Sequence, residues 1–189
     1  MVTRTQRLTL VSAPPGYGKT TLLADFFNAH SGPAAWYQLE ASDSDPTVFL
    51  SHLIESIRRM RTTSKKANKI GQNAQSLLNS AESGVDSRRV LTVLINELSE
   101  QINDTLLIIL EDYHFVASPI VHQLLDYLLE NAPPALHLII STRTDPRWHS
   151  HACAPADYYL NCAPMICVSM TMKWKLCCGV KSLIFRLKV

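Results

Sequence analysis

Ser12-Ala-Pro-Pro-Gly-Tyr-Gly-Lys-Thr-Thr21 decides the reading of this 189-residue chain. Just before it lies Leu8-Thr-Leu-Val11, a short β-type apolar run. After it, from Lys19 to His30, Leu22, Leu23, Phe26 and Phe27 recur at helical spacing. A turn that opens a helix suits a phosphate, because the first N–H groups of the helix have no acceptor within it and its dipole is positive at that end. Gly16 and Gly18 permit backbone conformations that side chains resist. Lys19 has the reach for β- and γ-phosphates, and the Thr20 hydroxyl can ligate Mg²⁺. Ala13, Pro14, Pro15, Gly16, Tyr17, Gly18, Lys19, Thr20 and Thr21 are therefore the expected nucleotide-binding residues. The strict form of this motif has glycine where Ala13 stands. The plain alternative is a strand-to-helix turn with an exposed lysine.

Outward from the loop, Gly32-Pro33 ends the first helix and Ala34 to Leu39 reads as a second strand. Asp45 is placed to cap a helix whose first residue is Pro46 and whose apolar face is Phe49, Leu50, Leu53, Ile54 and Ile57. Arg58 to Gly84 is polar and reads as surface, with a helical turn or two at Gln72 to Leu78. Val90, Leu91, Leu94, Ile95, Leu98 and Ile102 mark an amphipathic helix, and Pro119 to Glu130 another. Between them Leu106-Leu-Ile-Ile-Leu110 is continuously apolar, as in a parallel strand buried on both faces. Leu136 to Ser141 repeats that character. The alternation predicts an α/β fold, a parallel sheet flanked by helices, with ligands at the carboxyl ends of the strands.

Two of those strand ends carry charge. Glu111 and Asp112 follow the central strand, where a nucleotide site needs a carboxylate on the Mg²⁺ side and a second acid to orient the attacking water. The sequence does not divide these duties between them, and a solvated strand end is the bland alternative. Arg143 closes the next strand, where a cation can sense a γ-phosphate; the alternative is a simple pair with Asp145 or Glu111. His114 either orients the acids or caps the strand end. His30, His52, His122 and His137 read as helix-surface or strand-edge residues. The expected catalytic set is Glu111, Asp112 and Arg143, and the expected metal set is Thr20, Glu111 and Asp112.

Composition bounds the rest. A 47% hydrophobic content over this length supports one compact domain rather than two, and excludes a disordered polar chain, a collagen-like repeat or a disulfide-stapled mini-protein. The net charge of +2 favours no partner class, but it hides a seam. Residues 1–147 carry 13 basic and 15 acidic side chains and no cysteine. Residues 148–189 carry 5 basic and 1 acidic, together with Cys153, Cys162, Cys167, Cys177 and Cys178. No Cys-x-x-Cys pair occurs among these, so a zinc site is not expected. No run approaches the roughly 18 apolar residues of a membrane span, and the N-terminus lacks a signal-peptide pattern, so a soluble cytoplasmic protein without membrane contact is expected.

The stretch from Arg7 to Leu22 resembles the opening of the ATP-binding module in large bacterial transcription activators. These are the maltose-regulon-activator-like members of the LuxR group, within the STAND class of signal-transducing P-loop ATPases. Further matching blocks follow in order: Ala35-Trp36, Asp45-Pro46 with Phe49, Ile95 to Leu98, Glu111-Asp-Tyr-His114, Leu136 to Leu138 and Ser141 to Pro146. The resemblance spans about residues 7–147. It implies an AAA-like P-loop NTPase sheet, incomplete, that binds ATP or ADP with Mg²⁺, self-associates in the ATP form and is reset by slow hydrolysis. The family's usual pair at the central strand is two aspartates; here the first is Glu111. DNA binding in the family belongs to a C-terminal helix-turn-helix, so any DNA contact lies outside these 189 residues.

Residues 148–189 match nothing in that family. When each codon is started on the third base of the visible one, back-translation admits a helical, charge-rich string like the family's continuation. The expectation is a frameshift near Pro146–Arg147, leaving residues 1–147 as a truncated ATP-binding domain and residues 148–189 as an irregular, disordered or loosely helical tail. Two other functional readings stay open: a free-standing P-loop ATPase or kinase for a small substrate, with Arg58, Arg59 and Arg61 as the only lid candidates, and a non-functional gene remnant.

Overall fold

Parallel pairing on both sides of a central apolar strand organises the molecule. The computed structural model describes residues 7–62, 69–80, 86–102 and 104–143, with the backbone of 159–161. In chain order the elements are β1 (Leu8–Ser12), α1 (Lys19–Ala29), β2 (Ala34–Gln38), α2 (Pro46–Arg58), α3 (Gln72–Asn79), α4 (Ser87–Gln101), β3 (Leu106–Glu111), α5 (Pro119–Asn131), β4 (Leu136–Thr142) and β5 (Tyr159–Asn161). The sheet order is β2-β3-β4-β1-β5, and every pairing is parallel. The expected α/β sheet flanked by helices is the observed one.

The continuous apolar run of β3 has the burial anticipated for it. Ile108 and Leu110 join the larger core with α2, α4 and α5, while Leu107 and Ile109 join a smaller one with Leu23, Phe26 and Phe27 of α1. One helix thus covers one face and the remaining helices the other. Asp45 caps α2 as expected, accepting the N–H groups of Thr47 (2.8 Å) and Val48 (3.1 Å), with Pro46 as the first helical residue.

The structure differs from the sequence reading at two places. The helical turns expected at Gln72 to Leu78 are α3, but the stretch is not all surface: buried Ile70 and Ala74 seat it on the core. Glu97 on α4 reaches under its start: the buried carboxylate accepts the N–H of Gly71 at 2.8 Å and that of Asn73 at 3.0 Å. A charged residue inside an amphipathic pattern gives no hint that it caps a different helix. The second place is β5. The sequence offers no strand in residues 148–189, yet Tyr159–Asn161 pairs with the outer edge of β1, Leu10 opposite Tyr159 and Ser12 opposite Asn161. A bare edge presents unpaired N–H and C=O groups that any extended segment can satisfy. The five cysteines, His149, His151 and the proposed frameshift point lie outside the described residues. No helix among the described residues is long and apolar enough to cross a membrane.

Glu97→Ala removes the acceptor for two N–H groups at a buried helix start. It should destabilise the chain by about 2–3 kcal/mol, and Glu97→Gln, which keeps one acceptor oxygen, by less. Urea unfolding followed by circular dichroism measures both; equal stability of Glu97→Ala and the parent chain would remove the capping role.

Candidate functional site

Three strand ends meet on one rim of the sheet. Ser12 of β1 pairs with Thr142 of β4, and Leu110 of β3 pairs with Ile140 of β4, so the segments after β1, β3 and β4 emerge side by side. The loop after β1 is tied to β4 by the Ala13 N–H, which donates to Thr142 O at 3.3 Å. Pro14, Pro15, Gly16, Tyr17 and Gly18 are exposed, whereas Ala13 and Lys19 are buried.

The two glycines have the conformations for which the sequence reading invoked them. Gly16 has φ 84° and Gly18 has φ 73°, in the left-handed region that L side chains disfavour. A Cβ at either would meet nothing within 4 Å, so backbone torsion rather than crowding calls for glycine. Gly18 is the N-cap of α1 and supplies no side-chain cap. The N–H groups of Lys19, Thr20 and Thr21 therefore open the helix without intrahelical acceptors, as an anion site needs. Lys19 Nζ folds back over the loop and donates to Ala13 O (2.6 Å) and Pro14 O (3.2 Å).

The two acids separate. Glu111, the buried last residue of β3, accepts a hydrogen bond from Thr20 Oγ1. A hydroxyl and a carboxylate held together are hard oxygen donors, a set that fits Mg²⁺, which takes few protein ligands and keeps its remaining sites for phosphate and water. Among the described residues no group of three His, Cys, Asp or Glu side chains gathers as a protein-only cage. Asp112 points elsewhere. It is the one non-glycine residue with positive φ (58°) among those described, and its Oδ1 lies 3.6 Å from Arg143 Nε and 3.7 Å from His114 Nδ1. Arg143 thus faces Asp112; Glu111 is engaged with Thr20, and Asp145 lies outside the described residues.

Behind the rim, buried Tyr113 bonds through its hydroxyl to His122 Nδ1 on α5, which ties the end of β3 to that helix. Burial pushes the Tyr113 phenol up, with Asp126 adding to it. His122 is held below the usual histidine value by burial, against the opposing pull of Asp126. His114 is lowered by burial, then by the Arg143 charge, with Asp112 opposing. Of the other histidines, His52 pairs with buried Asp43 at 2.8 Å, His137 with Thr9 at 2.9 Å and His30 with Thr105 O at 3.2 Å. Arg58 and Arg59 pair with Glu55, and Arg61 donates to Phe27 O and His30 O at the far end of α1, so none of the three reaches the loop. Sequence reasoning missed Phe115, whose ring lies 4.2 Å from that of His114 and 5.8 Å from the Arg143 guanidinium. An exposed aromatic after a strand end carries no pattern that would single it out.

Comparison with known proteins follows this geometry. The family model described as an AAA ATPase domain matches residues 1–141. The serine/threonine-protein kinase PknK of Mycobacterium tuberculosis is 36% identical over 141 residues, 72% of this chain and 12% of that protein. The HTH-type transcriptional regulator MalT of Serratia proteamaculans is 31% identical over 147 residues, 76% of this chain and 15% of that protein. This chain therefore spans about an eighth to a seventh of the length of these relatives. The crystal structure of Cdc6p from Pyrobaculum aerophilum aligns with a TM-score of 0.46 at 16% identity, over 73% of this chain and 33% of that one.

Two outcomes test the rim. Asp112→Gly and Asp112→Ala both delete the carboxylate, but only alanine keeps a Cβ at φ 58°. The glycine variant should be the more stable by about 1 kcal/mol in thermal or urea unfolding; equality would mean the backbone relaxes at no cost. In an NMR titration the His114 and His122 rings should gain their protons below the ordinary value of 6.5. The unfolded chain then binds protons first as pH falls, so their contribution to stability is intact above about 6.5 and declines below it. Ring titration at or above 6.5 would contradict the burial of both.

Proposed function

The chain belongs to the AAA ATPase domain family, and from that membership we propose that residues 7–143 bind ATP with Mg²⁺ as the nucleotide switch of a cytoplasmic transcription regulator. The observation that carries the reading is the meeting of Thr20 and Glu111 at the mouth of a glycine-permitted loop. The N–H groups of Lys19, Thr20 and Thr21 would receive the β-phosphate, with the loop from Ala13 to Gly18 wrapped round it. Lys19 would exchange the carbonyls of Ala13 and Pro14 for phosphate oxygens. Thr20 and Glu111 would hold Mg²⁺, which when bound screens charge between the β- and γ-phosphates. Asp112, left over from that task, would orient a water, and Arg143 would meet the γ-phosphate.

The wider role rests on the relatives. PknK and MalT differ in what their names say they do, yet both share this stretch with the chain. A module common to a kinase and a transcriptional regulator suits a signalling switch better than a small-molecule kinase, and Arg58, Arg59 and Arg61 offer no lid. Self-association in the ATP form and DNA contact through a part outside these residues complete the proposal. Hydrolysis is expected to be slow.

Lys19→Ala should weaken binding of a fluorescent ATP analogue by about a hundredfold or more, the loss of a charge-assisted contact to phosphate. Melting of the variant near the parent temperature would establish that it is folded. Unchanged affinity in a folded variant would refute the assignment of the loop.

A further inference from the structure

Asp112 Oδ1 is approached from two sides at nearly equal range, by Arg143 Nε at 3.6 Å and His114 Nδ1 at 3.7 Å. Both lie just beyond hydrogen-bond length, so the oxygen is shared by two donors and committed to neither. His114 Nδ1 is buried and has no hydrogen-bond partner among the described residues. The ring is held in place by Phe115, which it overlies at 4.2 Å with the planes 34° apart. The same phenyl ring carries the Arg143 guanidinium at 5.8 Å. Asp112 is fixed from below by its left-handed backbone, which sets where the carboxylate projects. A bare ring nitrogen facing a carboxylate would set two acceptors against each other, so Nδ1 carries the proton and is a donor in waiting.

We infer that His114 is a positioning residue that takes over Asp112 Oδ1 when Arg143 turns to a terminal phosphate, so that Arg143 departs without stranding a carboxylate. The inference rests on the reading of the rim as an ATP site. Arg143 cannot serve Asp112 and a γ-phosphate together. Asp112 is mostly shielded, its side chain 17% exposed, and such a carboxylate that loses its neighbouring cation is penalised unless a donor takes that place. His114 needs to close only a short gap to do so. A diphosphate gives Arg143 no reason to move, so the exchange acts on ATP and not on ADP. His114 and Phe115 thereby set the preference between the two, because a ligand shifts a conformational equilibrium only by its differential affinity for the two arrangements. Phe115 supports both partners of the exchange from one ring.

The test measures equilibrium dissociation constants for ATP and for ADP, each with Mg²⁺, on the full 189-residue chain. His114→Phe keeps an aromatic ring on Phe115 and deletes the donor; it should lower the ATP-over-ADP preference about tenfold by weakening ATP alone. His114→Asn, whose amide N–H₂ stands near the Nδ1 position, should restore most of it. In an Arg143→Ala background, His114→Phe should have no further effect, since the exchange no longer occurs. Phe115→Ala should move the preference in the same direction as His114→Phe, and it tests the device even if the latter does not fold. Retention of the ATP preference by His114→Phe or by Phe115→Ala, an equal loss of ADP affinity, or persistence of the His114→Phe effect without Arg143 would overturn the inference. A parent chain that binds neither nucleotide would overturn the underlying reading, a result distinct from a parent that binds and variants that keep its preference.

Discussion

Glu111 and Thr20 meet across a gap. They belong to the end of β3 and to the helix after β1, strands that are not neighbours; β4 lies between them in the sheet. Two strand spacings amount to roughly 10 Å, so the contact requires side chains to lean over the end of β4. The residues there are Ser141 and Thr142, both small and buried. Ser141 shares a face with Ile139 on the α1 side, and a bulky side chain there would crowd the space through which the hydroxyl and the carboxylate reach each other. The resembled family's usual aspartate is one methylene shorter than the glutamate found here. The loop, the Thr20–Glu111 pair and the cationic rim thus depend on a register that brings Ser12, Thr142 and the end of β3 level.

The division of labour between the two acids has a stereochemical cause. Adjacent residues of an extended strand project to opposite faces, so Glu111 and Asp112 could not both address Thr20 from a continuing β3. The chain instead turns into the left-handed region at Asp112, where asparagine and aspartate are tolerated better than most residues, and a short 3-10 turn follows at Tyr113–Phe115. That turn sends the Tyr113 side chain inward to His122 and leaves His114 and Phe115 beside Arg143. Backbone strain of this kind persists where surrounding contacts over-determine the conformation, and the buried Tyr113 supplies one of them.

Much of this was legible in the sequence because it was written in local chemistry. The Leu106–Leu110 run, the Asp45-Pro46 helix start and the glycines of the loop each state their structure within a few residues, and each appears as read. What stayed hidden is what depends on partners distant in sequence. Glu97 looks like one more polar position on α4 until α3 is seen above it. From sequence Arg143 pairs with Asp145 or Glu111, and the turn at Asp112 brings a carboxylate to it that the sequence does not suggest. β5 is edge pairing of a segment with no strand pattern, met by the backbone groups of β1.

The aim of the loop is set from the opposite end of α1. Its N-terminal turn is exposed apart from Lys19, and its glycines impose little, so direction has to come from how the helix is seated. Leu23, Phe26 and Phe27 press it on the sheet, with Phe27 meeting Trp36 of β2 edge to face at 5.6 Å. At its C-terminus, where carbonyls lack intrahelical donors, Arg61 donates to Phe27 O at 2.6 Å and to His30 O, while its own backbone bridges Ala34 of β2 in both directions. The positive side chain also complements the negative end of the helix dipole. Arg61 would therefore serve the proposed phosphate site without approaching it. It pins the far end of α1 to the sheet edge, and the N–H groups of Lys19, Thr20 and Thr21 keep one direction relative to Glu111.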